Sequence, residues 1–478
     1  MKTAAEKQDL FENKPVWSAI LNLAFPSIMG QVILVIYNMA DTLFVGTTGN
    51  DAMITAVAVC MPAYMFLSAI SNLFGVGGAS VISRALGQRR EDRARRAASF
   101  AIWGCFAVTL LYSLGVLAFM DGFLDLLGGK NPTVHMHAQK YILVTVVMGG
   151  MVTAINTLFS HLIRAEGHSL QASIGIALGG VLNIALDPLF MFVILEPGNE
   201  ALGAGIATTL SNVVALVYFI VYIVIKRKHL MLSMHFSRKI FGDHIPADVI
   251  SVGLPACLMT LCENISYAIL DNLMVAAGVA AQAGIGVAKK VNMLAHCIVR
   301  GMSQGVLPLI GYTYACGKRI RMKQVIYLSG AMSIFLSLIC MALNLMFADQ
   351  LIRIFISGGD GGDSIRFGAE FLRILTVGAP FSACAYAIIS FFQATGKGKR
   401  SLVLALLRKG ILDIPLMFIL RALLARPEFG IVAATPVADV VCCIVGLAMF
   451  IPFIRKHGND ADFAPPPTEA EEIEYALD

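Results

Sequence analysis

The chain has 478 residues, of which 57% are hydrophobic and only 14% charged, with a formal net charge of +5. A soluble protein of this length would need far more charge to cover its surface, so soluble enzymes and nucleic-acid binders are excluded. The ten cysteines show no CxxC or Cys/His ligand spacing and mostly lie in apolar runs, which reads as packing, not as a disulfide or metal framework.

Residues Met1 to Lys14 are polar and charged, and the first apolar run carries Pro26 and Asp41. That is unlike a signal-peptide core, so the first span is expected to be retained. Crossing a bilayer takes roughly 20 residues per helix. Apolar runs of that length predict an all-α integral membrane protein of about twelve helices, at 16–45, 53–82, 97–120, 137–162, 170–195, 201–225, 247–278, 283–312, 324–348, 367–393, 400–424 and 431–454. Basic residues alternate from loop to loop. Arg84 to Arg96, Lys226 to Lys239, Lys318 to Lys323, Lys397 to Arg400 and Arg455-Lys456 fall on one side. The opposite loops are poorer in them, including Asp121 to Lys130 and Gly358 to Asp363. The positive-inside rule then places both termini in the cytoplasm.

Four residues of the first half, Tyr37, Asp41, Gly75 and Gly87, recur as Tyr267, Asp271, Gly305 and Gly317 at an offset of 230 positions. Pro188, Gly203 and Thr208 recur as Pro415, Gly430 and Thr435 at an offset of 227. Such a series in a hydrophobic chain is the plan of a secondary transporter built from two repeats. The expected division is 1–225 for the first lobe, 226–246 for a basic cytoplasmic linker and 247–457 for the second lobe. An acidic, Pro-rich tail of disordered composition follows at 458–478.

An ionisable residue inside a span costs several kcal/mol, roughly 2.5–3.5 on insertion scales, and is a functional candidate by default. Tyr37 and Asp41 share a helix face and can hold a proton or a small cation, or Asp41 caps the helix end near water. Asn183 and Asp187 repeat that spacing just before Pro188, which frees a carbonyl near Ile184. Carboxylate, amide oxygen and freed carbonyl resemble the oxygen cluster of an Na⁺ or H⁺ site. Alternatively, the pair serves as polar glue to a neighbouring helix. In the second half Glu263 lies deepest, with Tyr267 and Asp271 continuing its face. Gln31, Asn156 and Gln304 add uncharged polar groups as substrate candidates or inter-helix glue. For Arg408-Lys409, snorkelling to the cytoplasmic surface stands beside a functional role. Lys289-Lys290 are expected to pair with Glu263 or Asp271. Gly175-xxx-Gly179 and Gly301-xxx-Gly305 read as close helix contacts.

In order and spacing these motifs resemble the multidrug and toxic compound extrusion (MATE) family, over about Pro15 to Lys456. The resemblance rests on Pro26 with Asp41, Gly87-Gln88-Arg89, Arg164-Ala165-Glu166-Gly167, Asn183-xxx-Asp187-Pro188, the Gly203 to Thr208 run, and Pro255 with Glu263. It implies two pseudo-symmetric six-helix lobes around a central cavity, and a monomeric, cofactor-free antiporter. The implied activity is export of amphiphilic, cationic drugs or toxic metabolites from the cytoplasmic membrane in exchange for H⁺ or Na⁺. By motif it also implies a cation cluster of Asp41, Asn183, Asp187 and Thr208, with Tyr37 beside it and Asp41/Asp187 as the place for Na⁺ where that is the ion. Glu263, Tyr267, Gln31, Asn156 and Gln304 become the substrate or proton side. The chain departs from members with a second-lobe Na⁺ site, which carry an Asp in the middle of span 10. Here that span offers Cys384, Tyr386 and Ser390, which leaves coupling to the first lobe. In the 227-residue frame Asn183 and Asp187 fall opposite Leu- and Ile-containing sequence, so the scaffold reads as symmetric and the cation site as asymmetric.

Two rivals remain. A lipid-linked precursor flippase of the same superfamily would need an Arg-rich cavity, whereas the candidates here read as acidic and neutral. A membrane enzyme would need clustered acid, base or metal ligands near an interface. The only DxD, Asp460-Ala461-Asp462, lies in the tail.

Overall fold

The computed structural model describes residues 9–48, 50–128, 130–356 and 362–457, and every regular element among them is helical. The tail 458–478 with its Asp460-Ala461-Asp462, and the Gly358–Gly361 part of the loop before span 10, lie outside the described residues. Helices are what lipid dictates, since each backbone N–H and C=O must find its partner within the segment.

The helices of the first half are α1 (Val16–Thr47), α2 (Asp51–Gly87), α3 (Glu91–Ala118), α4 (Met120–Leu127), α5 (Pro132–Ile142), α6 (Gly150–Ala165), α7 (Ser169–Leu189) and α8 (Glu200–Lys226). Those of the second half are α9 (Ile245–Val275), α10 (Val279–Ala315), α11 (Arg319–Met346), α12 (Ala348–Arg353), α13 (Asp363–Val377), α14 (Ala379–Ala394), α15 (Gly398–Leu406), α16 (Asp413–Leu423) and α17 (Pro427–His457). Asparagines cap the starts of α2 and α5: the Asn50 side chain accepts from the amides of Ala52 and Met53 at 3.0 and 3.3 Å, and that of Asn131 from the Thr133 amide at 3.0 Å. Three π-helical segments, Leu143–Met148, Phe190–Ile194 and Leu407–Leu412, interrupt the helical runs.

Among the described residues nine helices are long and apolar enough to cross a membrane, or eleven if two bent pairs count as spans. The bent pairs are Pro132–Met148 with Gly150–Ala165 (48°) and Asp363–Val377 with Ala379–Ala394 (43°). The stretch expected as span 11 does not join them. It is broken by the π segment at Leu407–Leu412 and carries Arg408, Lys409 and Asp413 in its middle.

The chain divides into two compact units. Unit 1 holds Ile33–Thr260; unit 2 holds Asp9–Val32 and the chain from Leu261 onward. Both α1 and α9 are therefore shared, each giving its first part to one unit and its second part to the other. In unit 2 the first part of α1 lies against α10, at the Gly301-xxx-Gly305 pattern. A Cβ on Gly305 would stand 2.6 Å from Ala24 Cα, and one on Gly301 would stand 2.5 Å from Ile28 Cα. In unit 1 Gly179 allows Ala215 of α8 to pack at 3.3 Å from its missing Cβ. The basic linker is pinned to unit 1. Ser99 donates to the Ser233 carbonyl at 2.7 Å, Trp103 to that of Met234 at 3.0 Å, and Arg96 pairs with Asp243 at 2.5 Å. Large apolar side chains such as Leu111, Phe119 and Leu126 remain exposed, as suits a lipid-facing surface.

Candidate functional site

In unit 1, α7 presents Asn183 and Asp187 on one face, one turn before the chain passes into the π segment after Pro188. The Asn183 amide donates to Asp187 Oδ1 at 3.2 Å and to Thr208 Oγ1 of α8 at 3.3 Å. Asp187 is fully buried, Asn183 nearly so, and Thr208 only 9% exposed. Two acceptors in this cluster, Asp187 Oδ2 and Asn183 Oδ1, are buried without a hydrogen-bond partner among the described residues. A buried carboxylate oxygen left this way costs several kcal/mol unless a proton or cation meets it.

The surroundings are polar and close. Tyr37 of α1 lies against Gly180, its Cδ1 3.0 Å from where a Cβ would stand. Asp41 and Asp187 are within electrostatic reach of one another, and Tyr37 of both. The Thr208 carbonyl accepts from the Asn212 amide at 3.0 Å, and Asn212 Oδ1 accepts from Asn156 at 3.0 Å. Asn156, expected with the substrate residues, thus joins the network that leads to Asn183 and Asp187. Sequence reading missed Asn212 and also Tyr64, whose hydroxyl lies among Tyr37, Thr153 and Asn212. Asn212 was visible as a polar residue four positions after Thr208 in an apolar span; Tyr64 carried no such signal.

Unit 2 holds a larger set of charged side chains, of which Arg408, Lys409, Asp413 and Asp439 are buried. Glu263 of α9 receives Arg300 of α10 through two contacts, 3.1 and 3.2 Å. The same guanidinium reaches the Tyr386 hydroxyl at 3.5 Å. Arg408 donates to Asp439 at 2.6 Å and to Ser382 at 2.8 Å, and lies over the Tyr386 ring at 4.4 Å. Lys409 donates to Asp413 Oδ2 at 3.1 Å. Ser266 donates to that oxygen at 2.6 Å, and Thr435 donates to Oδ1 at 2.9 Å. Lys289 forms an ion pair with Asp271, and Lys289 and Lys409 stand 5.4 and 5.3 Å from the centre of the Tyr267 ring. Gln31 donates to Gln304 at 3.1 Å.

Two expectations are corrected here. Arg408 and Lys409 do not snorkel: both are at least 98% buried, and each is bound to a carboxylate. Snorkelling needs a path to water for the charged head, and the π segment turns both heads inward. The second correction concerns symmetry. Asn183 and Asp187 do have second-half counterparts, Lys409 and Asp413, at an offset of 226 rather than 227 positions. The second half has an extra residue, Ile414, between acid and proline, and this hid the match. Asp439, an acid in the middle of an apolar run, was legible and overlooked.

Comparison with known proteins follows the same duplication. The MatE family profile matches twice, over residues 26–189 and 255–419. The chain belongs to the MatE family. The two MatE matches open on Pro26 and Pro255, the prolines that head the two repeats. "Multidrug export protein MepA" of Staphylococcus saprophyticus subsp. saprophyticus is 27% identical over 454 residues, covering 95% of this chain and 97% of the relative. MepA of Staphylococcus aureus (strain MSSA476) is 27% identical over 447 residues, covering 93% and 95%. Among solved structures, the outward-facing conformation of a multidrug resistance MATE family transporter of the MOP superfamily superposes with a TM-score of 0.87. It is 24% identical and covers 95% of this chain and 98% of its own. A MATE in complex with MaD3S gives a TM-score of 0.86 at 24% identity, covering 95% and 99%. At that identity the likeness speaks for the fold. This MatE chain is a multi-pass membrane protein, and its relatives are named as export proteins, not enzymes.

Proposed function

We propose that this protein is a secondary active antiporter that exports amphiphilic, cationic drugs or toxic metabolites in exchange for H⁺ or Na⁺ by alternating access. One observation carries the reading: Asp187 Oδ2 and Asn183 Oδ1 are buried without hydrogen-bond partners among the described residues, in a cluster closed by Thr208. A proton on Asp187, or Na⁺ shared by Asp187, Asn183, Thr208 and Asp41, meets that need. Tyr37 lines the cluster and couples its charge state to α1. Glu263, Tyr267, Gln31 and Gln304 form the substrate side, where an organic cation competes with Arg300 for the Glu263 carboxylate. The relatives' names as multidrug exporters support the substrate class. The flippase reading is less favoured, because Arg300 and Arg408 are already held by Glu263 and Asp439. The alternation of basic loops supports the cytoplasmic membrane with both termini inside.

The ion drives export only through its different affinity for two states of the protein. Asp187→Asn and Asp41→Asn are therefore expected to abolish gradient-driven efflux from proteoliposomes while insertion and yield stay normal. Imposing an Na⁺ gradient and then a pH gradient, each with its selective ionophore, identifies the ion. Full efflux in both variants would refute the assignment.

A further inference from the structure

The second half keeps the acids of the first-half cluster and meets each with a lysine. Asp271 corresponds to Asp41, and Lys289 pairs with it; the first-half position matching Lys289 is Val59. Asp413 corresponds to Asp187, and Lys409, in the place of Asn183, donates to it at 3.1 Å. Thr435, the counterpart of Thr208, donates to the same carboxylate at 2.9 Å. Both carboxylate oxygens of Asp413 are bonded, whereas in the first half Asp187 Oδ2 has no hydrogen-bond partner among the described residues. Tyr267, the counterpart of Tyr37, has the two ammonium groups near its ring at 5.4 and 5.3 Å, within the range of a cation–π contact. The cluster thus holds a fixed charge where the first half leaves a buried carboxylate oxygen without a hydrogen-bond partner among the described residues.

We propose that the Lys409 ammonium is a tethered substitute for the coupling cation: it permanently fills the second-half equivalent of the Asp187 site and limits the transporter to cation binding in the first half. The inference rests on the coupling role proposed above for Asp187, but is read out separately from it. A lysine at this position sets ion stoichiometry without touching the mobile ion. Replacing Lys409 with asparagine would set an amide beside Asp413 and Thr435, the same trio of groups that Asn183, Asp187 and Thr208 form in the first half.

The test counts cations per full-length transporter reconstituted in nanodiscs. Radioactive Na⁺ is one probe, and proton uptake in Na⁺-free buffer, followed with a soluble pH dye, is the other. In whichever probe the wild type responds to, Lys409→Asn is expected to double the number bound, and Lys409→Asn with Asp413→Asn to return it to the wild-type value. The reciprocal change, Asn183→Lys, is expected to abolish binding at every cation concentration, whereas Asn183→Ala raises the half-saturating concentration but still saturates. A count in Lys409→Asn equal to wild type would overturn the proposal. If that variant does not fold, saturable wild-type-level binding by Asn183→Lys overturns it equally. Binding that survives Asp187→Asn in an otherwise wild-type chain would sink the first-half coupling site instead, and the gain on Lys409→Asn is scored independently of that result.

Discussion

Replacing Arg408 by Met removes one partner of an ion pair whose two side chains are 1% and 2% exposed. The methionine fills much of the volume but leaves the Asp439 carboxylate without the guanidinium that donates to it at 2.6 Å. Breaking a buried pair from one side costs about 3–5 kcal/mol, because an uncompensated charge stays behind. That corresponds to a factor of roughly 100 to 5,000 in the folding equilibrium. Ser382 and the Tyr386 ring lose a contact too, each on the order of 1 kcal/mol. Removing both charges with Arg408→Met and Asp439→Leu is expected to recover most of the loss, since an apolar replacement of a whole buried pair is near neutral. Equilibrium SDS unfolding of the purified protein, followed by circular dichroism, gives all four corners of the cycle. Single variants costing less than about 1 kcal/mol, or a double variant whose cost is the sum of the singles, would refute the reasoning.

Three further outcomes are expected. Gly305→Val drives a branched side chain into the backbone at Ala24 and should cost about 1–3 kcal/mol, while Gly115→Ala, with no described atom within 4 Å of its Cβ, should gain up to about 1 kcal/mol; thermal unfolding midpoints rank the two. Thr208→Val keeps the shape of the side chain but deletes the hydroxyl that receives Asn183, so the half-saturating coupling-ion concentration for efflux should rise about five- to tenfold. An unchanged value would remove Thr208 from the site. In a cysteine-depleted background, a cysteine at Arg89 should resist a membrane-impermeant maleimide applied outside intact cells, and one at Lys130 should react; the reverse pattern would invert the orientation.

Much of this molecule is legible in its sequence because lipid enforces simple rules. Apolar length marks helices, and the Tyr37/Tyr267 and Asp41/Asp271 echo marks the duplication that the family profile finds independently. The Asn183–Asp187 pair was visible for the same reason, since two polar groups four apart in an apolar run must face one way. What stayed hidden depends on contacts between helices that spacing cannot report. Nothing in the run around Asp439 says that its partner is Arg408, 31 positions earlier. The counterpart of Asp187 was lost to one extra residue at Ile414. The bend between Val377 and Ala379 likewise left no mark beyond Gly378 and Pro380.

The division of α1 between the two units has a consequence for synthesis. Phe11 stacks on Tyr312 with ring centres 4.8 Å apart, and Gln31 bonds Gln304, so these residues belong with partners made about 300 positions later. At 5–20 residues per second, roughly 15 to 60 seconds pass before those partners leave the ribosome. The opening segment must wait in the bilayer, threaded by the rest of α1 to a unit already under assembly. Severing the chain within 226–246 would give two fragments, each carrying a piece of helix the other needs. Such fragments should regain a native fold only when made together in the same membrane.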